Sequence, residues 1–407
     1  MSVHEAVTRV HRAEWARIVA GLARRFGDLD VAEEAAAEAF ATAVARWPAD
    51  GVPPNPGAWL TTTANRKAID RLRREKRRDE LEQEASMGYD HEPPEPVGAI
   101  DDERLRLIFT CCHPALAVET RVALTLRMVG GLTVPEIARA FLVRESAMEQ
   151  RITRAKAKIR TARIPYRVPA SEDLPVRVSA VLAVLFLIFN EGYLATGSGP
   201  DPVRHDLTSE AIRLTRLIRS LLPDDGEVAG LLALMLLTEA RRAARVSAGG
   251  DLVVLTEQDR GAWDGALIAE GHALVRERLA SGVAPGRYQL LAAINAVHTS
   301  ARDARDTDWS QIVALYDLLF RVDPSPIVAL NRAVAVAELD GPEVALATVN
   351  RLEAALAGYH AFHTARAEFL RRLGRGAESK EAYDRAIALA ANPAETAHLT
   401  RRRDQLV

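Results

Sequence analysis

Leu339 and Leu373 lie 34 residues apart, and each closes a helix-like pattern just before a Gly-containing turn. Ala333 and Ala367 share that offset, as do Ala345 and Ser379, and Asp323-Pro324 ends an earlier unit, LYDLLFRVDP, in the same manner. A two-helix unit repeated at this period cannot bury its apolar face alone, so neighbouring units must stack. For the C-terminal part of the chain this removes sheets and barrels and demands a helical array. The period runs from Thr307 to Leu399 and is clearest in ARAEFLRRLGRGAESKEAYDRAIAL. Helical patterning without a visible period reaches back to Val178.

The remainder reads as helix too. Aromatic content is only 5% while Ala, Leu and Arg abound, which favours helices over strands. Val7, Val10, Ile18, Leu22 and Phe26 predict a first amphipathic helix. Val31, Ala35, Ala39, Ala43 and Trp47 predict a second, stopped by the Pro-rich loop WPADGVPPNP. A third opens near Gly57 and runs to about Arg78. The acidic, Pro-rich stretch Ala85–Ile100 has no period and reads as a flexible linker. Helical pattern resumes at Asp101 and ends near Arg163, before a second boundary, IPYRVPASEDLP. The expected organisation is all-α: residues 1–84, a linker 85–100, a unit 101–167, and a helical array 168–407. Its 34-residue period of paired helices is that of tetratricopeptide repeats. The longest apolar run, Val178–Phe189, is shorter than a bilayer span and predicts a buried helix. With no basic-then-apolar run at the N-terminus, the expected compartment is the cytoplasm.

Charge separates the parts. Residues 1–167 carry 27 Lys+Arg against 24 Asp+Glu, a net +3; residues 168–407 carry 26 against 31, a net −5. Arg66–Arg78 holds eight basic residues and two acidic ones, and Arg144–Arg163 holds seven and two. Two basic helices in an otherwise balanced chain point to two contacts with a polyanion.

The second basic stretch, PEIARAFLVRESAMEQRITRAK (Pro135–Lys156), divides as a helix-turn-helix would. Thr133 can cap the first helix, Ile137, Ala138 and Phe141 face inward, Val143 fills the turn, and Met148 and Ile152 continue the apolar seam. Glu149, Gln150, Arg151 and Arg154 fall on the opposite face, where a recognition helix needs polar side chains. A solvated face on an ordinary helical hairpin would show the same division. In NPGAWLTTTANRKAIDRLRREKRR, Trp59, Leu60, Ala64 and Ala68 turn inward, and Asn65, Arg66, Arg73 and Arg74 turn outward. The helix before it gathers Asp28, Asp30, Glu33, Glu34 and Glu38 without a Lys or Arg, a face better suited to a basic protein partner.

Chemistry-bearing clusters are sparse. Cys111-Cys112-His113 is too small a set for zinc and reads as a buried helix end. Cys112-His113 and Asn190-Glu191-Tyr193 are isolated polar groups beside apolar helices. No Gly-rich phosphate loop, complete metal set or nucleophile motif is visible, so catalytic residues, metal and cofactor are all expected to be absent.

The order of these segments, an acidic AEE…EAF helix, a Pro-rich loop, PGAWLTTTANRKAIDRLRR, a linker, then LTVPEIARAFLV…RITRAKAKIR, resembles an extracytoplasmic-function sigma factor over roughly residues 5–163. FNEGY, EAIRL, EQDR and PSPIVALNRAVAV further on resemble the tetratricopeptide-like extension of one sigma subgroup. The resemblance implies that Asp28, Asp30, Glu33, Glu34 and Glu38 grip the β′ clamp of core RNA polymerase, with the β flap as a second contact. It implies that the loop Trp47–Pro56 and the helix Ala58–Arg74 open the −10 promoter element around a flipped base, with Asn65, Arg66, Arg73 and Arg74 on that strand. Glu149, Gln150, Arg151 and Arg154 would meet the −35 element. The extension would be regulatory, with a protein partner of its own. The turn Phe141-Leu142-Val143 departs from the family in lacking Gly. A stand-alone helix-turn-helix regulator with a ligand- or protein-sensing C-terminal domain is the alternative.

Overall fold

A computed structural model of the chain describes residues 3–82, 103–141, 143–193, 205–247, 252–390 and 392–406. The chain divides into two compact units, Met1–Leu187 and Ile188–Val407. The linker predicted over 85–100 and the turn residue Leu142 lie outside the described residues.

In the first unit α1 (Val3–Phe26), α2 (Leu29–Asp50) and α3 (Pro56–Glu82) pack mutually as a three-helix bundle. Small side chains let the axes approach: Ala32, Ala36, Ala39, Ala43, Ala64 and Ala68 are all fully buried, and Phe40, Trp47 and Leu60 fill the remaining space. Asp28 starts α2 by accepting hydrogen bonds from the Asp30 and Val31 backbone N–H groups at 2.6 and 3.1 Å. The helix carries on through Pro48 and stops only at Gly51, whose φ of 80° suits a residue without Cβ. The Pro-rich segment thus ends α2 later than expected.

Next come α4 (Glu103–Cys111), α5 (Val118–Thr125) continued by a π-helical turn (Leu126–Gly130), α6 (Val134–Ala140) and α7 (Glu145–Thr161). α6 begins with a reciprocal cap: Glu136 Oε2 accepts from the Thr133 N–H at 2.7 Å, while Thr133 Oγ1 accepts from the Glu136 N–H at 3.4 Å. Met148, Ile152, Ala155 and Ile159 bury the inner stripe of α7 at the expected spacing. The first unit extends beyond Arg167, and Arg177 of α8 (Leu174–Tyr193) donates to the Phe109 carbonyl at 2.6 Å.

Helix α8 is longer than the apolar run that marks it. At 20 residues and a mean hydropathy of 1.8 over its most apolar window it meets the length and composition of a membrane span, though only by those measures. Val178, Val181, Leu182, Leu185, Ile188 and Phe189 form one buried stripe, whereas Leu187 is 42% exposed. A one-sided stripe is the pattern of a helix with a core face and a solvent face.

The second unit contains α9 (His205–Leu221), α10 (Gly226–Glu239), α11 (Arg242–Arg245), α12 (Gly265–Ala280), α13 (Arg287–Ser300), α14 (Trp309–Val322), α15 (Pro326–Leu339), α16 (Pro342–Asn350), α17 (Glu353–Leu356), α18 (His360–Arg372), α19 (Gly376–Leu389) and α20 (Pro393–Asp404). α10 is buried nearly all round and packs on α9, α12 and α13. Its Gly230 lets α13 come close, because a Cβ there would sit 2.5 Å from the Gln289 backbone nitrogen. From α14 to α20 the helices stack largely on their sequence neighbours, as a repeat array requires. The 34-residue offset is visible in the side chains as well. Arg372 donates to Glu338 at 2.6 Å and Arg402 to Glu368 at 3.0 Å, each pair 34 residues apart. Ala333, Ala367, Ala345 and Ser379 are all buried, and Ser379 Oγ donates to the Ala367 carbonyl at 2.8 Å.

Candidate nucleic-acid interface

The outer face of α3 is built by its inner one. Leu60, Ala64 and Ala68 are fully buried, and Trp59 is half-buried with its ring 5.6 Å from that of Trp47. That phase turns Arg66, Arg73 and Arg74 to solvent. Asn65 is half-buried, donates to the Thr61 carbonyl at 2.8 Å and accepts from Arg25 Nη1 at 2.8 Å. Arg74 Nε reaches the Asp70 carbonyl, at 3.3 Å, so it is the Asp70 backbone that orients this arginine.

On α7, Glu149, Gln150 and Arg154 are exposed, and Arg151 is half-buried at the flank of the Met148–Ile152 stripe. Gln150 Oε1 accepts from Arg154 Nη2 at 2.9 Å, holding the guanidinium along the helix surface. Val143 N–H closes the preceding turn on the Ala138 carbonyl at 3.0 Å. The two helices therefore each present a polar face on an apolar base.

The acidic residues of α2 are engaged within the chain. Glu34 pairs with Arg71, and Glu38 Oε2 lies 3.4 Å from Lys67 Nζ, both bases coming from α3. Glu33 is only 7% exposed; Arg127 of the π-turn approaches it at 2.5 Å and Lys156 of α7 at 2.5 Å. Lys156 also meets Asp30 at 2.8 Å, and Arg160 lies 3.8 Å from Asp28 and 3.9 Å from Asp30. Burial by itself would lower the Lys156 pKa, but Glu33 and Asp30 outweigh it and hold the ammonium above the ordinary lysine value. These cations are the residues that sequence reasoning missed. A signal existed: Glu33, Ala36, Phe40, Ala43 and Trp47 share one helical stripe, which puts Glu33 on the buried side.

Cys111 and Cys112 are buried at the end of α4. Burial pushes the Cys112 thiol up to about 11, against the opposing hydrogen bond with Thr125 at 3.3 Å, and raises Cys111 as well. Neither thiolate forms at pH 8, so iodoacetamide should leave both unmodified in the native protein and label both after denaturation. Mass spectrometry reads the result, and rapid native labelling would show that the α4 end opens. Among the described residues no group of three or more His, Cys, Asp or Glu is placed to hold a metal ion.

Comparison with known proteins gives the two polar helices their context. The family Sigma-70 region 2 matches residues 12–78, Sigma-70, region 4 matches residues 106–159, and a family of unknown function (DUF6596) matches residues 177–279. An uncharacterized protein of Rhizobium meliloti (strain 1021) is 45% identical over 391 residues, covering 95% of this chain and 92% of that protein. A protein named Probable ECF RNA polymerase sigma factor SigI, from Mycobacterium tuberculosis, is 29% identical over 185 residues, 44% of this chain and 62% of that protein. No solved structure matches. The region 2 match lies within the α1–α3 bundle, the region 4 match runs from α4 to near the end of α7, and together the two matches support a sigma-70 family sigma factor.

Proposed function

We propose that the chain is an extracytoplasmic-function sigma factor of the cytoplasm that binds core RNA polymerase and directs initiation at promoters with −10 and −35 elements. The observation that carries this is the pair of outward polar faces, on α3 and α7, each backed by a buried apolar stripe in the two segments that match sigma regions. In this reading residues 1–84 form region 2, 85–100 the linker, 101–167 region 4 and 168–407 a regulatory helical domain. Asn65, Arg66, Arg73 and Arg74 contact the −10 strand; Glu149, Gln150, Arg151 and Arg154 read the −35 major groove. Asp28, Asp30, Glu33, Glu34 and Glu38 meet the β′ clamp, and region 4 the β flap. Binding and melting a promoter breaks no covalent bond, so the reading needs no catalytic residue or cofactor.

The C-terminal array presents stacked helices of net negative charge, a form suited to holding another protein. We assign it a regulatory role through such a partner and place the chain in the sigma subgroup with a tetratricopeptide-like extension. The test is transcription of a genomic library with purified core polymerase and the full chain. Specific initiation that depends on the chain supports the reading. Duplex binding without co-purification of polymerase would instead favour the stand-alone regulator.

A further inference from the structure

Within the second unit a cleft of about 280 Å3 opens between α10, α12, α13 and α14, edged by the loop residues 282–285. Among the described residues that line it, only Arg278 and Gln289 have polar side chains. Leu290 and Ala292 are buried in its floor, while Leu279, Val283 and Leu318 stand at its rim, 69%, 62% and 41% exposed. Water in such a hollow finds few partners, and three large apolar side chains left open around it favour an apolar occupant. The polar end is built around a cation. Arg278 is half-buried, and no carboxylate of the described residues forms an ion pair with it; its neighbour Glu277 pairs instead with Arg219 at 2.5 Å. Arg278 Nε reaches Gln289 Oε1 only at 3.5 Å, beyond the usual hydrogen-bond range. Glu227 spends its two oxygens on the Tyr288 and Gln289 backbone N–H groups, at 3.0 and 3.2 Å. Gly226 and Gly230, one turn apart on α10, make the room. A Cβ at Gly226 would sit 2.8 Å from Arg278 Nη2, and one at Gly230 2.8 Å from Gln289 Cγ.

We propose that this cleft binds a small aliphatic carboxylate, with its head group on Arg278 and its tail among the apolar side chains of α12, α13 and α14. A guanidinium offers parallel N–H groups that match the two oxygens of a carboxylate. Glu227 lies 3.4 Å from Gln289 Nε2 and would repel a second negative charge, so a singly charged head group fits better than a phosphate. A volume just below the roughly 300–1,000 Å3 of ordinary small-molecule sites limits the ligand to about ten heavy atoms, the size of octanoate. Such a ligand touches four helices at once, so its binding would tie α10 and α12 to α13 and α14. The C-terminal unit would then respond to a metabolite directly, with no second protein needed. This inference stands apart from the promoter reading and does not depend on it.

The experiment titrates the full chain with sodium octanoate, 1-octanol and acetate by isothermal calorimetry. Octanoate should bind once per chain with a Kd of about 0.01–1 mM, a reasonable range for about ten heavy atoms. Octanol has the same tail without the charge and should bind at least about tenfold more weakly, and acetate, which lacks the tail, should not bind. Arg278→Gln should weaken octanoate by about tenfold or more and leave octanol unchanged. Arg276→Gln, at an exposed position of α12 outside the cleft, should bind as the native chain does. Ala293→Leu, which fills part of the cleft, should weaken both compounds. In the native chain octanoate should slow hydrogen exchange in α12 and α13, a readout that holds even if a variant fails to fold. Equal octanoate affinity in the native and Arg278→Gln chains, or protection confined to other helices, overturns the carboxylate site. So does the absence of octanoate binding to the native chain at millimolar concentration, which would leave the cleft to an apolar side chain of a partner protein.

Discussion

Replacing Arg151 and Arg154 together by Ala is expected to lower promoter affinity of the holoenzyme by about 30-fold or more, with the protein's melting unchanged. The estimate comes from a base contact being worth about 1–3 kcal/mol, taken twice. Arg154 is exposed and Arg151 half-buried, and neither belongs to the core stripe of Met148 and Ile152, which are 0% and 4% exposed. Arg154 donates to Gln150 at 2.9 Å, a pair on an exposed surface that adds little to folding. Gln150→Ala should weaken binding as well, by about 1–3 kcal/mol for its own base contact, and it also frees the Arg154 guanidinium. Fluorescence anisotropy with a promoter duplex at one fixed salt concentration reads the change. Unaltered affinity with normal melting would move the recognition surface away from this face of α7.

Trp47→Ala should destabilise the α1–α3 bundle by about 3–5 kcal/mol, the range for deleting a large buried aromatic. Trp47 is 1% exposed and stands edge-on to Trp59, 5.6 Å between ring centroids, at the point where α2 hands over to the loop before α3. Among the described residues its buried indole Nε1 has no hydrogen-bond partner, an arrangement that works against folding. Trp47→Phe should accordingly recover most of the loss, since it refills the space and removes the unpaired donor. Hydrogen exchange of the α2 and α3 amides is the suitable measurement, because a chain of two units need not unfold in one step. Unchanged protection in the Ala variant would show that the ring packs against space the bundle can close.

The helices, their order and the inner faces of α3 and α7 follow from local spacing, which is why Leu60, Ala64, Met148 and Ile152 could be placed from the sequence. A face set by a period of 3.6 needs no knowledge of what lies opposite. The 34-residue offset was legible for the same reason, and the Glu338–Arg372 and Glu368–Arg402 pairs repeat it in three dimensions. The length of α8 was not, because helix continues through flanking residues that a hydropathy count discards.

The pairing of charges was the larger surprise. Glu33 and Glu34 are neighbours of identical chemistry, yet one is buried between two cations and the other is exposed beside Arg71. Arg127 and Lys156 reach Glu33 across 94 and 123 positions of chain, and the α2 stripe that announces the burial of Glu33 does not say which cations meet it. The sequence by itself determined which residues face inward and which carry charge. Only the tertiary structure decided which charges meet, because an ion pair depends on distances between elements that local periodicity leaves free.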